Sequence, residues 1–177
     1  MQQQQPPLTV LYLTSWLICS PPVTRCKLIV RRVSERSPFQ SYIQEKMAET
    51  KPDLVIIGGS TGSQHVEVVQ HYYMPYRFEW GQICNVPHYN SNVPADVIER
   101  LQREGMSLNE VTKSSSSSSN HLAYYVASYA RELFESEGKV VHHTLVQLPE
   151  RFAGGKQAPI IAQLARSWTE TRRKMSN

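Results

Sequence analysis

The sequence predicts an α/β fold, a three-layer sandwich with a mostly parallel central sheet and helices on both faces. Three observations carry this expectation. Short apolar, β-branched runs at residues 8–14, 27–33, 53–57 and 140–148 alternate with segments of helical spacing. Residues 53–57 (DLVII) are continuously apolar after the first position and end in Gly58-Gly59, the pattern of a central parallel strand buried on both faces. The connections are short, so strands separated by helices run parallel with right-handed crossovers.

Each element has its own signal. Residues 1–7 (MQQQQPP) are a polar, proline-ended tail, expected to be flexible. Residues 8–14 read as a buried strand. The longer apolar stretch 8–19 has the length of a signal-peptide core, but no Lys or Arg precedes it, which favours the strand. After the strand at 27–33, Ser37-Pro38 opens a helix running to about Lys51, with Tyr42, Ile43 and Met47 on one face. Residues 66–73 (VEVVQHYY) read as one strand. Pro75, Pro87, Asn85, Asn90 and Asn92 make 74–93 a loop. Pro94-Ala95-Asp96 starts a helix through Arg103, stopped by Gly105. Six consecutive serines, 114–119, offer nothing to bury and predict a mobile loop. A helix spans 121–137, with Leu122, Tyr125, Tyr129 and Leu133 at helical spacing before Gly138. A strand at 140–148 closes on Pro149, and residues 158–174 form the last helix. The 177 residues thus hold one α/β domain, 8–174.

Composition narrows the function classes. The net charge is +4, but much of the excess lies in two short clusters, Arg25/Lys27/Arg31/Arg32 and Arg166/Arg172/Arg173/Lys174. The second reads as a solvated helix end, where cations are favoured by the dipole, so neither nucleic acid nor membrane is expected as a partner. Three cysteines, Cys19, Cys26 and Cys84, are too few and too odd for a disulfide framework and suggest a reducing, cytoplasmic compartment. A homo-oligomer is compatible with the sequence, and nothing in it sets the state.

No complete catalytic site is legible from residue types alone. Gly58-Gly59-Ser60-Thr61-Gly62 matches the Gly-x-Ser-x-Gly turn of serine hydrolases and follows a strand. That turn needs a helix straight after it, whereas Val66-Glu67-Val68-Val69 is strand-like, so a glycine-rich turn at the sheet edge is favoured over a Ser60 nucleophile assisted by Asp96 and His121 or His142. The Lys of a phosphate-binding P-loop is absent. His142 and His143 are adjacent on a strand and point to opposite faces, while Cys84 and His88 have no second pair, so neither a metal nor another cofactor is expected.

Four segments carry a family resemblance. Residues 52–59 (PDLVIIGG), 123–138 (AYYVASYARELFESEG), 144–149 (TLVQLP) and 10–16 (VLYLTSW) occur in the order of the corresponding elements of type I pyroglutamyl peptidases. The chain resembles a divergent, shortened member of that family of cysteine peptidases, which remove pyroglutamate from peptide N-termini. The resemblance implies a Cys near a helix start, a His on a later strand and an acid on the strand after the glycine loop. Counting from Gly138, Pro149 and Gly59, these positions fall on Tyr125, Gln147 and Gln70. It further implies substrate contacts at Trp16, Gly59 and Ser60, and peptide N-termini as partners. With a phenol and two amides at the three positions, the expectation is a pyroglutamyl-peptidase-like domain that is catalytically defective. The alternatives are a serine hydrolase using Ser60 and a binding module without catalysis.

Overall fold

The computed structural model describes residues 7–15, 21, 23, 25–33, 39–61, 64–73, 88–109, 118–152 and 154–175. Strands β1 (Leu8–Thr14), β2 (Cys26–Arg32), β3 (Leu54–Thr61), β4 (Glu67–Val69), β7 (Ser107–Asn109) and β8 (His142–Pro149) form one sheet in the order β2-β1-β3-β8-β4-β7. The first four in that order run parallel, β4 is antiparallel to β8, and β7 is parallel to β4. A separate antiparallel pair joins β5 (His71–Tyr73) to β6 (His88–Asn90). The helices are α1 (Phe39–Thr50), α2 (Ala95–Arg103), α3 (Ser118–Glu137) and α4 (Ala158–Met175).

Strand alternation sorts the core into two layers. Leu11, Leu13, Val55, Ile57, Leu145 and Val69 face α1 and α3. Val10, Tyr12, Leu54, Ile56, Val146 and Leu148 face α2 and α4. The three-layer α/β sandwich is therefore the architecture. The two central strands β3 and β8 bury both faces over most of their length: residues 54–57 of β3 are continuously apolar rather than alternating, and β8 buries His142, His143 and Thr144 beside Leu145, Val146 and Leu148.

Four elements differ from the sequence-based expectation. Residues 66–73 do not form one strand: β4 and β5 belong to different sheets, separated at Gln70. Within the predicted loop 74–93, residues 88–90 pair as β6, and 74–87 lie outside the described residues. Strand β7 had no signal of its own, being three residues long. Helix α3 starts at Ser118, so the last two serines of the run are helical, while 114–117 lie outside the described residues, as do the tail 1–6 and the Ser37-Pro38 helix start.

Side-chain amides replace missing strand partners at two places. Asn92 accepts the His143 N–H at 2.7 Å and donates to the Val141 carbonyl at 2.9 Å, completing the edge of β8 where β4 has ended. Asn120, at the start of α3, accepts the Tyr73 N–H and donates to the Tyr73 carbonyl, both at 2.9 Å. Buried backbone groups must be paired, so these two asparagines fix the loop at 91–93 and the first turn of α3 against the sheet.

Candidate functional site

Ligand sites in open parallel sheets lie beyond the carboxyl ends of the strands. Here that end is marked by Gly58-Gly59 on β3, and each glycine makes room for a polar side chain from a different layer. A β-carbon on Gly58 would lie 2.1 Å from the Tyr12 hydroxyl, on the α4 side. A β-carbon on Gly59 would lie 2.6 Å from Ser119 Oγ, on the α3 side. The Tyr12 phenol donates to Gln157 Oε1, just before α4, and Thr14 reaches the same oxygen at 3.4 Å. Burial raises the Tyr12 pKa well above that of an ordinary phenol, so it remains a neutral donor.

On the α3 side the register assembles a row. Gly59 pairs with Gln147 of β8, and Gln147 pairs with Glu67 of β4. Register partners share a face of the sheet, and directly opposed antiparallel partners have β-carbons about 5 Å apart. Both Gln147 and Glu67 are half-buried. Ser119, in the first turn of the 20-residue α3, stands over Gly59 at the positive end of the helix. The corner therefore combines a hydroxyl, a carboxamide, a carboxylate and close-approaching backbone. It can hold a polar group by hydrogen bonds.

The sequence-predicted site residues are distributed as follows. Gly59 and Gln147 come together. Gln70 lies three residues beyond Glu67, roughly 10 Å along the strand direction, and its carbonyl accepts the Ser91 N–H. Tyr125 lies six residues beyond Ser119, about 9 Å down the helix axis, buried in the α3-side core with its ring 5.8 Å from that of Tyr124. Trp16 lies outside the described residues. Glu67 and Ser119 were missed. The signal for Glu67 was available, because a Glu two residues before an inward-facing Val shares its face. Ser119 was hidden by the serine run, whose low complexity reads as loop.

Ser60 does not form a nucleophile elbow. It continues β3 as an ordinary, exposed strand residue in register with Leu148, so no strand-to-helix turn presents its hydroxyl. By strand alternation Ser60 faces the α2 and α4 side, whereas His121 sits on α3, across the sheet. His142 pairs with Leu54, six rows or roughly 20 Å from Ser60, and Asp96 is exposed at the start of α2. No set of three or more His, Cys, Asp or Glu residues poised for a metal occurs among the described residues. Of the cysteines, Cys26 is described. It starts β2 opposite Leu8, seven rows or roughly 20 Å from the Gly59 row; Cys19 and Cys84 lie outside the described residues. No helix among the described residues is long and apolar enough to cross a membrane.

The glycine pair yields a paired expectation. Gly58→Ala drives a methyl into the Tyr12 ring, whose hydroxyl is held by Gln157, and should cost about 2–3 kcal/mol in urea unfolding. Gly59→Ala meets Ser119 and should be tolerated better, by moving the first turn of α3. Equal costs would mean that α3 is as rigidly seated over Gly59 as Tyr12 is over Gly58.

No protein-family model matches the chain, and no curated protein matches its sequence. The fold, however, has solved counterparts. A single-residue variant of pyrrolidone carboxyl peptidase from the hyperthermophile Pyrococcus furiosus superimposes with a TM-score of 0.64 at 12% identity, over 96% of this chain and 100% of that one. Pyroglutamyl peptidase I from Bacillus amyloliquefaciens superimposes with a TM-score of 0.60 at 12% identity, over 93% and 94% of the two chains. The chain thus has a pyroglutamyl-peptidase-like fold.

Proposed function

We propose that this chain is a divergent pyroglutamyl-peptidase-like domain that binds peptide N-termini at the Gly59 corner without hydrolysing them. The observation that supports the reading is the chemistry of that corner. Gln147, which the sequence resemblance matches to the family's His, lies in register with Gly59, and the first turn of α3 presents Ser119 over Gly59. A carboxamide is neither acid nor base in water, so Gln147 cannot do the work of an imidazole. Glu67 is a carboxylate in register with Gln147. What remains is hydrogen-bonding capacity: the Gln147 amide offers both donor and acceptor, Ser119 a hydroxyl, and Glu67 a negative charge for an amine.

Purified protein incubated with a pyroglutamyl-arylamide should release no arylamine. Titration of the same protein with a pyroglutamyl dipeptide should give saturable heat that Gln147→Ala reduces. Turnover sensitive to iodoacetamide would overturn the inactive reading, because a cysteine would then perform the chemistry. Absence of saturable heat would remove the binding reading.

A further inference from the structure

Helix α3 begins on a weak sequence. Its first three residues are Ser118, Ser119 and Asn120. Serine and asparagine are poor helix formers, whose side chains favour caps and turns. The first N–H groups of a helix also lack partners within it. A turn of this composition frays unless something outside the helix holds it. Asn120 supplies such a hold. It has no exposed surface, and its carboxamide takes both backbone groups of Tyr73 in β5, accepting the N–H and donating to the carbonyl at 2.9 Å each.

The hairpin that Asn120 grips is anchored at other points. Tyr72 of β5 is fully buried, with its hydroxyl 3.2 Å from His143 Nδ1. Tyr89 of β6 packs its ring 5.0 Å from that of Tyr124. Ser91 and Asn92, just after β6, bond to the backbone of His143 and Val141 in and beside β8. The Gln70 carbonyl, between β4 and β5, accepts the Ser91 N–H at 2.7 Å. The hairpin therefore keeps its seat without Asn120, and the first turn of α3 is the part that depends on the contact. That turn carries Ser119, whose Oγ and Cβ lie 2.6 and 2.8 Å from where a β-carbon on residue 59 would be. So close an approach to the strand is possible only over a glycine, and it is set by where the turn sits.

We infer that Asn120 is a positioning residue for the Gly59 corner: by clamping Tyr73 it fixes the first turn of α3, and with it the Ser119 hydroxyl over Gly59. The inference rests on the reading of that corner as a site for peptide N-termini. Asn120 acts through its neighbour Ser119. The clamp also ties together two elements of the corner, because β4, which carries Glu67, continues into β5 after Gln70 alone. Groups ordered before the ligand arrives need not be ordered at its expense, so the clamp raises affinity by preorganisation. Asn92 is the natural comparison. It makes the same pair of hydrogen bonds to backbone, but at His143 and Val141, and His143 lies four residues or roughly 13 Å along β8 from Gln147.

Two measurements separate this role from a merely structural one. Without ligand, the urea-midpoint losses of Gly59→Ala and Asn120→Ala should be sub-additive, because a turn released from Tyr73 yields to the new methyl. Those of Gly59→Ala and Asn92→Ala should add. With pyroglutamyl-alanine as ligand, Asn120→Ala should bind about two- to tenfold more weakly than the unaltered protein, the equivalent of one neutral hydrogen bond. Ser119→Ala should lose as much, and the Ser119→Ala/Asn120→Ala double variant no more than either. Asn92→Ala should lose stability and keep its affinity. Asn120→Asp, which keeps the acceptor for the Tyr73 N–H and loses the donor, serves in the same comparisons if the alanine variant does not fold. Additive losses for Gly59→Ala with Asn120→Ala would overturn the inference whatever the ligand does. So would undiminished affinity in Asn120→Ala, or a double variant weaker than both single ones. Sub-additive losses in a protein that gives no saturable heat would instead remove the peptide reading and leave Asn120 as the residue that seats Ser119.

Discussion

Replacing Val55 with Asp should abolish stable folding or cost at least about 4 kcal/mol in urea unfolding, a large share of the 5–15 kcal/mol by which a typical domain is stable. Val55 has no exposed surface and sits on β3 between β1 and β8, facing α1 and α3. A carboxylate there would be desolvated on every side. One neighbour complicates the outcome: His143 stands opposite position 55 in the ladder. Its imidazole could take up a proton and pair with the new carboxylate, but a buried ion pair still pays for desolvating both members. Ile56→Asp provides the comparison, because position 56 faces the other layer and its β8 partner is Thr144. Both variants should fall by several kcal/mol, with Ile56→Asp no milder. An unchanged melting temperature for either would mean that β3 does not lie in the middle of the sheet.

Acidification should weaken the domain well above the range where carboxylates titrate. His143 is almost completely buried, and burial, followed by the charge of His142, pushes its pKa down to about 3. The groups facing it are the Tyr72 hydroxyl, 3.2 Å from Nδ1, and Ser91, whose Oγ donates to the His143 carbonyl at 2.9 Å; neither supplies a negative charge. Burial also holds the Tyr72 phenol neutral, raising its pKa. In the unfolded chain the imidazole titrates near 6.5. Above that value both states hold it neutral and it contributes no pH dependence. As pH falls from 6.5 towards 3, the unfolded state takes up a proton that the folded state refuses. Stability then drops by up to about 1.4 kcal/mol per pH unit, or roughly 2–3 kcal/mol by pH 4.5. His142 acts in the same direction because its pKa is also lowered. Burial would raise the Glu104 pKa, but hydrogen bonds from Gln163, Ser167 and Arg100 lower it, and Arg100 lowers that of Glu170, so both add their loss as pH falls from the ordinary carboxylate value towards their lower folded ones. Urea midpoints measured between pH 7 and pH 4.5 should show this slope in the unaltered protein and a flatter one in His143→Gln. An identical slope in both would mean that His143 is protonated inside the fold.

The layers, most of the main strands and every helix were legible because their signals are local. Residues 53–57 are apolar without alternation, and only a strand buried on both faces has that pattern. Tyr42, Ile43 and Met47, and likewise Leu122, Tyr125 and Leu133, recur at the helical period, and Gly105 and Gly138 both adopt the positive φ that ends a helix. The short elements were not legible. Strands β6 and β7 are three residues each, too short for periodicity, and they exist because a neighbouring strand offers unpaired backbone groups.

The candidate site divides along the same line. By itself the sequence determined that a strand ends in Gly58-Gly59, that Gln147 lies on a later strand, and that the positions matched to the peptidase family by counting carry no thiol, imidazole or carboxylate. Counting along the chain could not place Glu67 opposite Gln147 or Ser119 over Gly59, because both depend on the register of β4 against β8 and on where α3 begins. Register is a property of two strands together. A slip of one residue would turn Glu67 to the other face of the sheet, and three residues separate it from the Gln70 reached by counting. Nor could any local pattern bring Thr144 of β8 and Trp168 of α4, twenty-four residues apart in the chain, to the same side of one buried layer, since that requires a strand and a helix to meet across the packed sheet.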